Sequence, residues 1–117
     1  MRQGAIDPSA VVEAHIRRIQ QVNPRLNALV ADRFDAARAE ARVADERIRD
    51  AGPDDVLPPL LGVPCTVKEF VAVEGMPWTA GIEARRGHRA GGDATVVQRL
   101  RAAGAIVLGV TNMAEGG

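Results

Sequence analysis

Residues 60–70 read LLGVPCTVKEF, a short apolar run rich in β-branched side chains. This composition predicts a strand over about 61–68. Because side chains alternate along a strand, Cys65 and Val67 are expected on one face and Lys68 on the other. The lysine therefore ends the strand, at the edge of the sheet where α/β proteins form their ligand crevices.

Residues 93–110 read DATVVQRLRAAGAIVLGV. Asp93 is predicted to cap a helix over about 93–103, which Gly104 ends, and the apolar run at 105–110 is typical of a fully buried strand. A strand, a crossover helix and a second strand predict a parallel pair. The fold class is therefore α/β.

Two more helices are predicted earlier in the chain. Asp7, followed by proline, is a favourable N-cap for a helix over about 8–22, which the restriction on the residue before Pro24 ends. The second helix covers about 32–50 and has a thin apolar stripe, made mostly of alanine. The connection at 72–92 is uncommonly long, and long loops are usually functional or unpaired.

Two parallel strands do not form a stable sheet, because bare faces and open edges leave apolar and backbone groups unsatisfied. We therefore expect the 117 residues to be the N-terminal portion of one larger α/β domain.

The composition excludes several classes of function. Fifteen basic residues balance fifteen acidic ones, so no net field attracts nucleic acid or an anionic membrane. One cysteine permits neither an internal disulfide nor a thiolate-rich metal site, and no metal spacing or nucleotide-binding glycine motif is present, so no cofactor is predicted. No apolar run approaches the roughly 20 residues that cross a bilayer, and a cytoplasmic location is predicted.

Few side chains in the sequence offer nucleophilic or basic chemistry. Ser9 is the only serine and lies in the first turn of a predicted helix, where a helix-start role is typical. Cys65 is expected to pack as a small hydrophobe. Burial at the strand end would favour the neutral amine of Lys68, which could then act as a base; the alternative is a strand-end lysine that reaches solvent.

A basic cluster in the long loop has two interpretations. A solvated loop is favoured over a nucleic-acid contact, because the chain has no basic excess and no aromatic residues interleave with the cluster. The members of the cluster are Arg85, Arg86, His88 and Arg89.

Three stretches of the sequence carry a family resemblance. They are SAVVEAHIRRIQQVNPRLNALV at 9–30, PLLGVPCTVKEFVAVEGMPWTAG at 59–81 and DATVVQRLRAAGAIVLGVTNMAE at 93–115. Together they resemble the amidase signature family, and the resemblance covers nearly the whole chain. Within the family, the pair Lys68-Glu69 is more similar to the fatty-acid amide hydrolase branch than to the Lys-Asp-Asn of the glutamyl-tRNA amidotransferase subunit.

The resemblance implies a three-layer α/β/α fold around a large mixed sheet. It also implies that a Ser-Ser-Lys triad hydrolyses a small carboxamide without a cofactor. Lys68 matches the catalytic lysine, whose neutral amine takes a proton from one serine so that this serine can activate the nucleophile. Thr111, Asn112 and Met113 match the segment that forms a wall of the substrate site.

The sequence departs from the family in its serines. Ser9 matches neither catalytic serine, so we expect an N-terminal amidase fragment that is inactive on its own. The alternative hypothesis is a noncatalytic interaction module or a decayed, truncated protein. In that case its open sheet edge would recruit a complementary chain or self-associate.

Overall fold

The computed structural model describes residues 6–116. Its regular elements, in chain order, are helix α1 (Pro8–Leu26), strand β1 (Leu29–Asp32), helix α2 (Phe34–Asp50), strand β2 (Pro64–Lys68), a short 3₁₀ helix (Glu83–Arg85), helix α3 (Thr95–Ala102) and strand β3 (Ile106–Thr111). None of the helices in the described range is long and apolar enough to cross a bilayer.

The three strands form one mixed sheet with β3 in the centre, in the order β1-β3-β2. β2 runs parallel to β3 and places Lys68 opposite Thr111. β1 runs antiparallel to β3 and places Leu29 opposite the same threonine. The parallel pair predicted from the sequence is therefore confirmed.

Helices cover both faces of the sheet. Ile106 and Leu108 of β3 pack with α1 and α2 on one face, around the fully buried Ile16. Val107 points to the other face, where it packs with Val97 of α3 and with the long loop. The layered α/β/α arrangement around a mixed sheet is thus confirmed.

A shift in strand register lies near the end of β3. The pairs Cys65–Val107 and Val67–Val110 are separated by two residues on β2 and by three on β3, so the pairing slips by one residue. This slip turns Val110 to the α3 face of the sheet. Gly109 lies within the irregular segment, and a Cβ atom built there would come within 2.3 Å of the Ala31 carbonyl oxygen.

Helix α1 is longer than predicted, because it continues through Pro24 to Leu26 instead of ending near residue 22. Pro24 lacks the N–H that would bond to the carbonyl of residue 20, and the helix continues past it for only two residues. Asn27, in the left-handed region at φ 48°, closes the helix by donating to the Asn23 carbonyl oxygen at 2.7 Å. The predicted N-cap is confirmed, since the Asp7 carboxylate accepts from the Ala10 N–H at 2.8 Å.

Strand β1 was not predicted, and helix α2 begins at Phe34 rather than at residue 32. The Asn23 side chain holds the start of the strand: its amide nitrogen donates to the Leu29 carbonyl oxygen, and its amide oxygen accepts from the Leu29 N–H, both at 2.8 Å. Apart from this bridge, β1 owes its conformation to β3, a pairing partner far along the chain.

The predicted boundaries of two other elements also differ from the structure. β2 begins at Pro64 rather than 61, because Gly62, at φ +83°, makes a turn before it. Helix α3 begins at Thr95, and Asp93 is not its cap. Instead, the Asp93 carboxylate accepts from the Glu74 N–H at 2.8 Å. β3 covers 106–111, one residue later than predicted.

The close approach of β1 to β3 can be tested at Gly109. An alanine there must displace the Ala31 backbone, and such overpacking costs about 1–3 kcal/mol of the free energy of unfolding. Gly91→Ala is the control, because a Cβ at Gly91 meets no atom within 4 Å. We expect urea unfolding followed by circular dichroism to show a lower midpoint for Gly109→Ala only. Equal midpoints for the two variants would contradict this packing.

Candidate functional site

Lys68 lies at the carboxyl end of β2, beside the end of β3. The N–H of Glu69 donates to the Thr111 carbonyl oxygen at 3.0 Å and extends the parallel pairing past the lysine. The Lys68 side chain is exposed. Within residues 6–116 its ammonium group makes no ion pair or hydrogen bond, so this part of the protein does not supply the burial expected from the sequence.

The choice of lysine at this position stands out against the rest of the sequence. The chain has fifteen basic residues, and Lys68 is the only lysine among them. Arginine stays protonated in proteins, whereas lysine can lose its proton when it is desolvated. The presence of a single lysine is thus a sequence signal that singles out residue 68.

A cleft of about 370 Å³ lies beside the ends of β2 and β3. Its lining includes the residues that directly follow the two strands, Glu69, Asn112 and Met113. The other lining residues are Val30 of β1 and seven residues of the loop: Pro77, Thr79, Gly81, Ile82, Glu83, Arg86 and Gly87. Asn112 and Met113 therefore form a wall, while Thr111 and Lys68 lie next to the cleft and do not line it.

Hydrogen bonds of Asn112 hold the wall formed by Asn112 and Met113 in place. Its side-chain nitrogen donates to the Asn27 carbonyl oxygen at 3.2 Å, and its side-chain oxygen accepts from the Met113 N–H at 2.9 Å. Its own N–H donates to the Ala28 carbonyl oxygen at 2.7 Å. Asn112 thus ties the segment after β3 to the start of β1.

Glu69 is buried, with 6% of its surface exposed. Its carboxylate accepts the N–H groups of Thr79 and Ala80, at 3.0 and 2.8 Å, and the Thr79 hydroxyl. The Glu69 side chain therefore binds the loop.

The basic cluster is bonded within the loop that carries it. The Arg85 guanidinium lies 5.2 Å above the Trp78 ring and donates to the Trp78 carbonyl oxygen at 3.2 Å. The His88 ring centroid lies 5.6 Å from that of Trp78. The other two arginines bond to loop partners: Arg86 to the Glu83 carboxylate at 2.7 Å and Arg89 to the Gly75 carbonyl oxygen at 2.9 Å.

Neither candidate nucleophile lies at the cleft. The Ser9 hydroxyl and N–H both donate to the Asp45 carboxylate, which ties α1 to α2. Cys65 is half-buried against the α3 face of the sheet. Burial raises the pKa of the Cys65 thiol, outweighing the guanidinium groups of Arg101 and Arg33, which lower it. Both side chains therefore have structural roles here.

Comparison with known proteins gives a consistent result. The amidase family model matches residues 10–117. The chain is 50% identical over 119 residues to fatty-acid amide hydrolase 2-A of Danio rerio, covering 98% of the chain and 22% of that protein. It is 45% identical over 115 residues to the indoleacetamide hydrolase of Bradyrhizobium diazoefficiens, covering 98% of the chain and 21% of that protein.

A solved structure shows the same fold. The native peptide amidase from Stenotrophomonas maltophilia superimposes with a TM-score of 0.85 and 36% sequence identity, over 98% of the chain and 23% of that structure. The chain therefore spans less than a quarter of the length of these relatives.

The state of Cys65 can be tested by alkylation. Because its pKa is raised, less thiolate is present at pH 8, so iodoacetamide should modify the folded chain severalfold more slowly than the urea-unfolded chain. The folded state should also lose stability as the pH rises through the thiol's unfolded pKa, because only the unfolded chain then ionises readily. Cys65→Ala should remove that loss. Equal alkylation rates for folded and unfolded chains would contradict the burial of the thiol.

Proposed function

The chain belongs to the amidase family, and on that premise we propose that Lys68 is the general base of an amide-hydrolysing site. The two serines of the Ser-Ser-Lys triad come from protein outside these 117 residues, because the only serine of the sequence, Ser9, is bonded to Asp45. The chain is thus the N-terminal part of the catalytic domain and contributes one of three catalytic groups.

The observation that carries this proposal is the position of the only lysine. Lys68 ends β2 and faces Thr111 across the parallel pair, next to a cleft lined by Asn112 and Met113. The carboxyl ends of neighbouring parallel strands are where α/β proteins place their ligands.

The proposed chemistry moves one proton at a time. The neutral amine of Lys68 takes a proton from the hydroxyl of the first serine. The first serine in turn takes the hydroxyl proton of the second serine, whose oxygen attacks the amide carbon. The resulting ammonium group returns a proton to the leaving amine. Water then hydrolyses the acyl-enzyme through the same groups. The lysine needs no covalent bond to substrate in this sequence of steps.

The exposure of Lys68 in the described residues sets a requirement on the rest of the enzyme. An ammonium group in water keeps its proton, and desolvation favours the neutral amine. The surface that brings the serine hydroxyls must therefore also cover Lys68. The same surface therefore carries the serine hydroxyl that donates a proton to Lys68 and excludes water from the amine.

The substrate we propose is a linear carboxamide whose acyl group is largely apolar. The side chains of Val30, Ile82 and Met113 give the cleft an apolar wall. Two relatives, named for fatty-acid amide and indoleacetamide hydrolysis, support this class. The cytoplasmic location predicted from the composition stays a prediction.

Substitution of Lys68 tests the proposed role directly. In the complete enzyme that carries residues 1–117, Lys68→Arg keeps the charge but cannot release a proton, and Lys68→Met removes it. Both should lower kcat by about 10²- to 10⁴-fold, the usual contribution of a general base. Arg99→Ala, which removes an exposed cation from α3, is the control and should leave kcat unchanged.

The activity of the isolated 117-residue chain provides a second test of the proposed role. It should not hydrolyse amides, because no serine hydroxyl lies near Lys68. Steady amide hydrolysis by the purified chain, lost on Lys68→Ala, would show that the nucleophile is within these residues and would contradict the proposal.

An open strand edge favours a second candidate function, that of an interaction module. In the described sheet, β2 is hydrogen-bonded to a neighbouring strand on one side only. Its free edge can pair with another chain or a second copy. This candidate predicts that the mass of the isolated chain, measured by light scattering after size exclusion, rises with concentration. A constant monomeric mass would contradict it.

A further inference from the structure

Glu69 is the one charged residue that is buried within residues 6–116. A buried carboxylate is unfavourable unless its oxygens accept hydrogen bonds. Here Oε1 accepts the N–H groups of Thr79 and Ala80, and Oε2 accepts the N–H and the hydroxyl of Thr79. No basic side chain of the described residues pairs with it. Two backbone N–H groups and one hydroxyl of the loop hold the charge.

The turn that binds this carboxylate has an unusual backbone. Ala80 is at φ 55° and Gly81 at φ +70°, both in the left-handed region. Alanine avoids this region, because its Cβ approaches a backbone oxygen. Consecutive N–H groups that point at one anion form a backbone nest, and the anion keeps the nest in shape. The Glu69 carboxylate therefore stabilises a turn that Ala80 would otherwise disfavour.

The same turn is bonded to the segment that follows β3. The Ala80 carbonyl oxygen accepts from the Gly116 N–H at 2.8 Å. Gly81 lies so close to this segment that an added Cβ would come within 3.0 Å of the Ala114 carbonyl oxygen. Glu69 thus connects the end of β2, the turn at 79–81 and the segment at 112–116.

Glu69 lies in the lining of the cleft, together with residues of the two segments that it connects. Thr79 and Gly81 of the turn line the cleft, and so do Asn112 and Met113. The main chain of Glu69 meanwhile continues the pairing that holds Lys68. The Lys68 side chain is exposed, whereas the Glu69 carboxylate is buried against the loop.

We propose that Glu69 is a positioning residue of the amidase site, which fixes the turn at 79–81 and so sets the substrate-binding shape of the cleft. The inference rests on the proposed function of Lys68 as the base. Glu69 acts on substrate binding through Thr79 and Ala80 and takes no part in proton transfer.

Hydrogen exchange on the 117-residue chain tests the turn without any need for activity. Glu69→Gln removes the negative charge and replaces one of the two acceptor oxygens by an NH₂ group, which is a donor. We expect exchange of the Thr79 and Ala80 amides to accelerate about tenfold or more, since their hydrogen bonds to a charged acceptor are lost or become weaker bonds to a neutral one. Glu74→Gln is the matched control, an exposed glutamate of the same loop. Unchanged exchange in Glu69→Gln would overturn the proposal.

Kinetic constants of the complete enzyme test whether Glu69 affects substrate binding. Glu69→Gln should raise KM by about ten- to a hundredfold, as expected for a displaced binding wall, while the pH profile of kcat stays in place. Glu74→Gln, at an exposed glutamate that does not line the cleft, should change neither constant. A shifted pH profile with unchanged KM would overturn the proposal in favour of a role in proton transfer.

A further variant covers the case in which Glu69→Gln fails to fold. Thr79→Val removes the hydroxyl, which donates to the Glu69 carboxylate and accepts from the Gly81 N–H, and should raise KM severalfold; an unchanged KM would then overturn the proposal. The two proposals can also fail separately. If Lys68→Arg retains full kcat, the proposed base is wrong, whereas exchange at Thr79 and Ala80 still decides whether Glu69 holds the turn.

Discussion

The parallel pairing of β2 with β3 is the constraint on which the other features depend. It brings the carboxyl ends of two strands, Lys68 and Thr111, to one edge of the sheet. β3 is buried over all but its last residue, because helices cover both of its faces and a strand lies on each side. The residues that follow β2 and β3 are therefore anchored to buried strands, and the cleft lies beside these strand ends.

Neighbouring residues at the end of β2 have separate roles. The Lys68 side chain is exposed to solvent, whereas the Glu69 carboxylate is buried and bonded to the loop. The carboxylate satisfies the Thr79–Ala80 turn with hydrogen bonds and needs no cation partner. The lysine is thus left without an ion pair in the described residues and is free to meet a hydroxyl from another part of the enzyme.

Local signals in the sequence were enough for the parallel pair, for Asp7 as a cap and for the family resemblance, which is confirmed. β1 escaped prediction because its conformation depends on β3, which follows it by more than 70 residues. The roles of Glu69 and of the loop arginines also escaped, since their partners lie in irregular backbone with no periodic pattern. The single lysine can be read directly from the sequence, but its position at the end of β2 is what indicates a function for it.

The most direct test of the account is the distance between the Lys68 amine and a serine hydroxyl in the complete enzyme. A crystal structure of that enzyme with a substrate amide analogue would measure it. The account predicts that Nζ lies within about 2.6–3.2 Å of a serine Oγ, the range for proton transfer, and that Lys68 is covered from water. An Nζ exposed to solvent, with no hydroxyl in that range, would contradict the assignment of Lys68 as the base.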